Sequence, residues 1–247
     1  DYLSKPFDPV LLRTRIDSSL EKKWLRDREE KYLAELAREK QKSEALLLNI
    51  LPPSIVIRMR DGELAIADHI VQSTILFCDL VGFTALSQKL TAGATVDFLS
   101  KIFATFDRLA AEAGVEKIKT IGDAYMAAAG VPEPQADHAV RVAMLAPRML
   151  KAVQDVADET RLDLRARIGI HTGPIVAGVI GTHKFAYDVW GDSVNTASRM
   201  ESHSVTGRIQ ISDATRLALD GRFRLEPRGT IDVKGKGLME TYFLLHE

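Results

Sequence analysis

The sequence predicts an α+β fold, with helices packed on a sheet rich in antiparallel pairing and a long separate helix ahead of it. Three observations predict this. Short apolar runs bounded by Gly and Asp read as strands, and several are joined by turns too tight for a crossover, which makes neighbours antiparallel. Stretches 94–113 and 136–157 repeat apolar residues at helical spacing. Residues 11–50 are rich in Glu, Lys, Arg, Leu and Ala and contain no Gly or Pro. At 247 residues and 46% hydrophobic, the chain has material for one catalytic-sized domain and an accessory segment.

In chain order, the N-terminal helix comes first. Leu33, Leu36, Leu47 and Ile50 fit a and d positions of one heptad frame, but Lys40 and Ser43 occupy the seam between them. Residues 17–50 therefore read as a weakened coiled coil, or as a single charged, solvated helix. Pro52 and Pro53 end it and place the start of a new domain near residue 51. A strand follows at 72–78, and then the amphipathic helix 94–113 with Val96, Leu99, Ile102, Phe103, Phe106 and Leu109. Segments 115–120 and 124–129 form a hairpin, and the helix at 136–157 carries Ala139, Val140, Ala143, Met144 and Leu150 on one face, with a kink expected at Pro147. LRARIGIH (164–171) and PIVAGVI (174–180) read as two strands turning at Thr172-Gly173. A helix at 193–203, a strand and helix over 208–219, and closing strands near 222–226, 229–234 and 240–245 complete the reading, with the helices on one face of the sheet.

Composition narrows the function classes. The 33 basic and 34 acidic residues nearly cancel, so no net positive charge points to nucleic acid or to a polybasic membrane anchor. The lone Cys78 excludes an internal disulfide framework and a cysteine-based zinc cluster. No window approaches the ~20 apolar residues that cross a bilayer, and the start DYLSKPFDPV lacks the layout of a signal peptide. These features predict a soluble, cytoplasmic chain, and the absence of an initial Met suggests a piece of something longer.

The stretch ILFCDLVGFT (75–84) carries the first chemical signal. Asp79 directly follows a run that reads as a buried strand, and a carboxylate there is costly unless a cation or several donors compensate it. Asp123, in KTIGDAYM, belongs to the turn of the hairpin. If the first strand pairs with that hairpin, both carboxylates meet at one end of the sheet, with no His or Cys nearby, which suits Mg²⁺ or Mn²⁺. The alternative is that Asp79 caps the short helix after it and Asp123 is an ordinary turn residue. Asn195 and Arg199, one helical turn apart, share a face while Val194, Ala197 and Met200 turn inward. Lys117 and Lys119 share a strand face by alternation. GPIVAGVIG (173–181) lacks the Lys-Ser/Thr ending of a phosphate loop, so its glycines read as structural.

Taken in order, FCDLVGFT, KTIGDAYM, YDVWGDSVNTASRM and VKGKG resemble the class III nucleotidyl cyclases over about residues 46–247. The resemblance implies a ferredoxin-like βαββαβ core with extensions, sites at the interface of a head-to-tail homodimer, and conversion of ATP or GTP to the 3′,5′-cyclic nucleotide and pyrophosphate. It implies two Mg²⁺ or Mn²⁺ ions per site, held by Asp79, Asp123 and the backbone carbonyl of Leu80. The backbone from Val81 through Phe83 and Thr84 would meet the β- and γ-phosphates. Lys119 and Asp188 match the positions that select adenine, where guanylate-specific members typically carry Glu and Cys. Asn195 would orient the ribose, Arg199 would stabilise the α-phosphate, and Lys234 and Arg167 would meet the triphosphate. The expected function is therefore adenylate cyclase. Its rivals are guanylate cyclase, a non-catalytic nucleotide-binding module of the same fold, and a structural dimerisation module. SKPFDPVLLRTRI also resembles the end of a response-regulator receiver domain with Lys5 as its lysine. That implies a receiver remnant over 1–16, a coiled-coil linker over 17–50, a cyclase domain over 51–247, and an upstream receiver or sensor module as partner.

Overall fold

A computed structural model describes residues 8–63, 65–181 and 184–245; Lys5 lies outside the described residues. The chain divides into two units, Asp1–Val56 and Ile57–Glu247. The first is dominated by α1 (Pro9–Leu48), whose first turn is capped by Asp8 accepting from the amides of Val10 and Leu11. No residue of α1 is buried, and Leu33, Leu36 and Leu47 all face solvent. The helix stops at Leu48, capped by Asn49. The two prolines do not simply terminate it: Pro53 opens a second short helix, α2 (Pro53–Arg60), that the sequence reading did not include. Proline is well suited to a first helical turn, where its missing N–H is not needed.

The second unit is built on two long central strands, β1 (Ala67–Val81) and β4 (Arg165–Ile180). After β1 come a single turn of helix, α3 (Phe83–Ser87), the long helix α4 (Ala92–Ala113), and the hairpin β2 (Glu116–Ile121) and β3 (Ala124–Ala129). Helix α5 (His138–Thr160) runs continuously through Pro147 and leads into β4. Then follow β5 (Ala186–Trp190), α6 (Asp192–Ser202), β6 (Ile209–Ser212), α7 (Asp213–Leu219), β7 (Leu225–Val233) and β8 (Gly237–Leu244). The sheet order is β2-β3-β1-β4-β6-β8-β7, with β5 paired to β4. All pairings are antiparallel except β4 with β6. The order of β1, α4, β2, β3, α5 and β4, with β1 central, is the ferredoxin-like βαββαβ core, and β5 to β8 extend it.

Helices α4 and α5 cover one face. Ile102, Phe106 and Leu109 of α4, and Ala139, Val142, Ala146, Met149 and Val153 of α5, pack on Leu76, Cys78, Tyr125, Ala127, Ile168 and Ile170 of the sheet. Burial pushes the Cys78 thiol well up, so it behaves as a core apolar group. Val96 and Met144, assigned inward from the sequence, are exposed. Val96 lies in the first turn of α4, and the buried stripe of α5 runs through Ala139, Val142, Ala143 and Ala146, leaving Met144 outside it.

Four further expectations change. Thr172-Gly173 is no turn: β4 is one strand, and the irregularity lies in β1, where the register shifts between Ile70 and Ser73 opposite Gly173. A bulge bends a strand pair without ending it. The closing segments 222–226 and 229–234 likewise merge into β7, whose register shifts between Pro227 and Gly229. β5, five residues long with Asp188 at its centre and too short to stand out in the sequence, pairs with the far end of β4. Finally, α6 packs on the sheet face opposite α4 and α5. Gly169 permits this, since a Cβ there would lie 1.8 Å from the backbone nitrogen of Glu201.

Candidate active site

Asp79 stands near the end of β1, opposite Ala124 of β3 and Arg167 of β4. Asp123 occupies the two-residue turn just before Ala124, after Gly122 in the left-handed region. The first strand does pair with the hairpin, and the sheet thus brings the two acids to one end. Burial raises the Asp79 pKa; Arg167 opposes this by charge, and Asp123 adds to it. Gly82, at φ 94°, turns the chain from β1 into α3, and a Cβ there would meet the Asp163 carbonyl oxygen at 2.7 Å. Phe83 is buried and stacks on Phe98, with ring centroids 6.1 Å apart. Its side chain is therefore part of the core, leaving its backbone for a ligand, while Thr84 is exposed. Leu80 is buried between the strands that flank Asp79.

Arg167 bridges two acids. Its Nη2 lies 2.9 Å from Asp79 Oδ2, and its Nε donates to Glu201 Oε1 at 2.6 Å. The guanidinium that the resemblance assigns to the triphosphate is engaged here by Asp79 and Glu201. Glu201 was missed by sequence reading, although a signal existed. It falls on the buried stripe of α6 with Ser193, Ala197 and Met200, where a carboxylate demands a partner.

Lys119 Nζ donates to Asp188 Oδ2 at 2.5 Å, joining β2 to β5. Asp188 Oδ1 also accepts from the Val189 amide at 2.8 Å, which fixes the carboxylate. Lys117 and Lys119, which alternation puts on one strand face, part company at a bulge. The register of β2 on β3 shifts between them, and Lys117 goes to Asp107 Oδ2 at 2.7 Å and over the Tyr125 ring.

Asn195 and Arg199 are exposed on one face of α6. With Lys234, Lys236 and Asp192 they line a cleft of about 510 Å³. Lys236 is paired with Asp192. A cavity of similar size, about 520 Å³, lies beside α5 and contains none of these residues; its Arg148 and Lys151 are already paired with Glu112 and Asp155. Of the two, the smaller cleft is the candidate site, because convergent functional groups identify a site better than volume does.

The donors around Asp79 fit a hard divalent cation, because two carboxylates and a backbone carbonyl offer oxygen only. Among the described residues no three His, Cys, Asp or Glu side chains gather as a metal cage. Two acids alone are what an ion needs when substrate phosphates supply the remaining ligands.

Residues 67–246 match the family model of the adenylate and guanylate cyclase catalytic domain. An adenylate cyclase of Mycobacterium tuberculosis is 44% identical over 208 residues, covering 84% of this chain and 47% of that protein, so the chain spans about half the length of this relative. The guanylate cyclase domain of RhGC from Catenaria anguillulae, solved with GTP, superposes with a TM-score of 0.70 at 37% identity, covering 73% of this chain and 99% of that one. The adenylyl cyclase CyaB from P. aeruginosa also gives 0.70, at 29% identity, over 73% of this chain and 96% of that one. With the βαββαβ core and the paired acids in place, this chain belongs to the family of adenylate and guanylate cyclase catalytic domains.

Proposed function

We propose that the protein is an adenylate cyclase, converting ATP to 3′,5′-cyclic AMP and pyrophosphate at sites shared across a homodimer. The observation that carries the choice of ATP is the Lys119–Asp188 pair. Adenine offers an amino donor and a ring-nitrogen acceptor, so a reader needs one acceptor and one donor side by side. Asp188 accepts and Lys119 donates. Guanine would set its O6 against the Asp188 carboxylate and leave buried polar groups unpaired, which is a strong basis for rejection. The likeness to the mycobacterial adenylate cyclase supports the same choice. Guanylate cyclase is the second reading, favoured by the likeness to a domain solved with GTP.

Asp79 and Asp123, with the Leu80 carbonyl, would hold two Mg²⁺ or Mn²⁺ ions, whose chemistry is to acidify the ribose 3′-hydroxyl and neutralise the triphosphate. The reaction is an in-line displacement: the bond from the 3′-oxygen to the α-phosphorus forms as the bond from that phosphorus to the β-phosphate oxygen breaks, and the 3′-hydroxyl proton passes to water or to a substrate phosphate oxygen. Asn195 orients the ribose. Arg199 donates to the α-phosphate oxygens as charge builds on them, where preorganised donors contribute most. Lys234 meets the outgoing pyrophosphate with the amides of Phe83 and Thr84, and Arg167, kept on Glu201 through its Nε, turns its Nη groups to the same phosphates. The two protomers are arranged head to tail, the acids of one facing the Lys119–Asp188 pair of the other. Residues 17–50 act as a coiled-coil linker from an upstream receiver or sensor module. Incubation with ATP and Mn²⁺, with product analysis for cyclic AMP and pyrophosphate, tests the activity. Turnover of GTP in preference to ATP would transfer the assignment to guanylate cyclase, and turnover of neither would leave a binding module.

A further inference from the structure

The bridge Asp79–Arg167–Glu201 has a design beyond the roles already assigned. Asp79 and Arg167 are direct cross-strand neighbours on β1 and β4, so their ion pair at 2.9 Å is built into the register of the sheet. Glu201 reaches the same guanidinium from α6 at 2.6 Å, and it does so because Gly169 lets that helix lie backbone to backbone on β4. Its side chain is 11% exposed, whereas that of Arg167 is 32% exposed. Glu201 is therefore the most buried member of the bridge, Asp79 at 20% is intermediate, and the guanidinium between them is the most exposed. Burial comes first in raising the pKa of both Asp79 and Glu201, and Asp123 adds to it in each case.

Charge bookkeeping gives the bridge a purpose. Two carboxylates, Asp79 and Glu201, flank one guanidinium, and Asp123 adds its charge to theirs from the neighbouring turn, so the three acids and the arginine together leave two net negative charges for a divalent ion. A divalent ion and a guanidinium cannot comfortably share Asp79 at such distances, because like charges a few ångströms apart repel strongly in a partly buried site. We propose that Arg167 is the cation that occupies Asp79 in the metal-free protein, and that Glu201 is a positioning residue, the anchor onto which Arg167 withdraws when a divalent ion takes its place. Without that anchor the guanidinium closes its whole fork on Asp79 and competes with the ion. The proposal rests on the reading of Asp79 as a metal ligand.

Binding of Mn²⁺ alone, without nucleotide, to the full chain is measured by the electron paramagnetic resonance signal of the free ion. Glu201→Gln should weaken binding at least about tenfold. Glu201→Asp keeps the charge but shortens the reach, and should also weaken binding. Arg167→Gln should bind Mn²⁺ at least as tightly as wild type. Combined with Glu201→Gln it should return affinity to within about threefold of wild type, since the acid acts through the arginine. Circular dichroism confirms that each variant is folded. Wild-type affinity in either Glu201 variant, or a folded double variant as weak as Glu201→Gln, overturns the anchor. Failure of the metal reading itself looks different: wild type and Asp79→Asn would then bind Mn²⁺ equally.

Discussion

Replacing Gly169 by Ala probes how closely α6 must approach the sheet. The added Cβ would lie 1.8 Å from the backbone nitrogen of Glu201, 2.4 Å from its Cα and 2.4 Å from the carbonyl carbon of Met200. All three are backbone or helix-stem atoms, so no flexible side chain can swing away. Restoring contact to about 3.5 Å requires α6 to move by roughly 1.7 Å from β4. Overpacking of this kind costs about 2–3 kcal/mol. The functional cost is larger, because α6 carries Asn195, Arg199 and Glu201 together, and a misplacement of about 1 Å at a reacting centre costs on the order of 100-fold in rate. The variant should lose a few degrees of thermal midpoint by circular dichroism and about 100-fold in kcat for ATP with Mn²⁺, with a smaller change in KM. Wild-type midpoint and turnover together would refute the close approach as the reason for glycine here.

Exchanging the base-reading pair, Lys119→Glu with Asp188→Cys, should abolish an ATP preference of about 100-fold or more and favour GTP in competition assays; a double variant that still prefers ATP would dissociate the pair from base choice. Asp79→Ala and Lys119→Ala should each be inactive alone and partly active when mixed, because one site of the mixed dimer keeps both halves; silence despite mixed dimers on native mass analysis would sink the shared site. Burial, aided by the charge of Lys236, pushes His171 from its ordinary 6.5 down to about 4, so in the folded protein the imidazole stays neutral well into acid. The unfolded chain takes up its proton first. Stability present above about pH 6.5 is therefore lost as pH falls toward 4 and then levels off, for a total of about 3 kcal/mol. Urea unfolding across that range should show the slope in wild type and a shallower one in His171→Gln; parallel slopes would contradict the assignment.

Much of the fold was legible because it is written in local periodicity. The stripes of α4 and α5, the hairpin turn at Gly122-Asp123, and the apolar run into Asp79 each depend on residues a few positions apart, so propensity and patterning suffice to read them. Val96 and Met144 were misplaced for the same reason: a period gives a face, but only packing gives its edges.

What the sequence by itself determined, then, is the long helices and the central strands, the order of the motifs and the kind of chemistry their residues support; α2, β5 and the continuity of β4 and β7 lay beyond it. Tertiary structure alone decided which side chains meet. A bulge between Lys117 and Lys119 sends one lysine to Asp107 and the other to Asp188. Pairing of β5 with the end of β4 places Asp188, and the absence of a side chain at Gly169 delivers Glu201 to Arg167. Each of these depends on register and close approach between segments far apart in the chain, where a shift of one residue or one ångström redirects a charged group, and such contacts leave no periodic trace along the sequence.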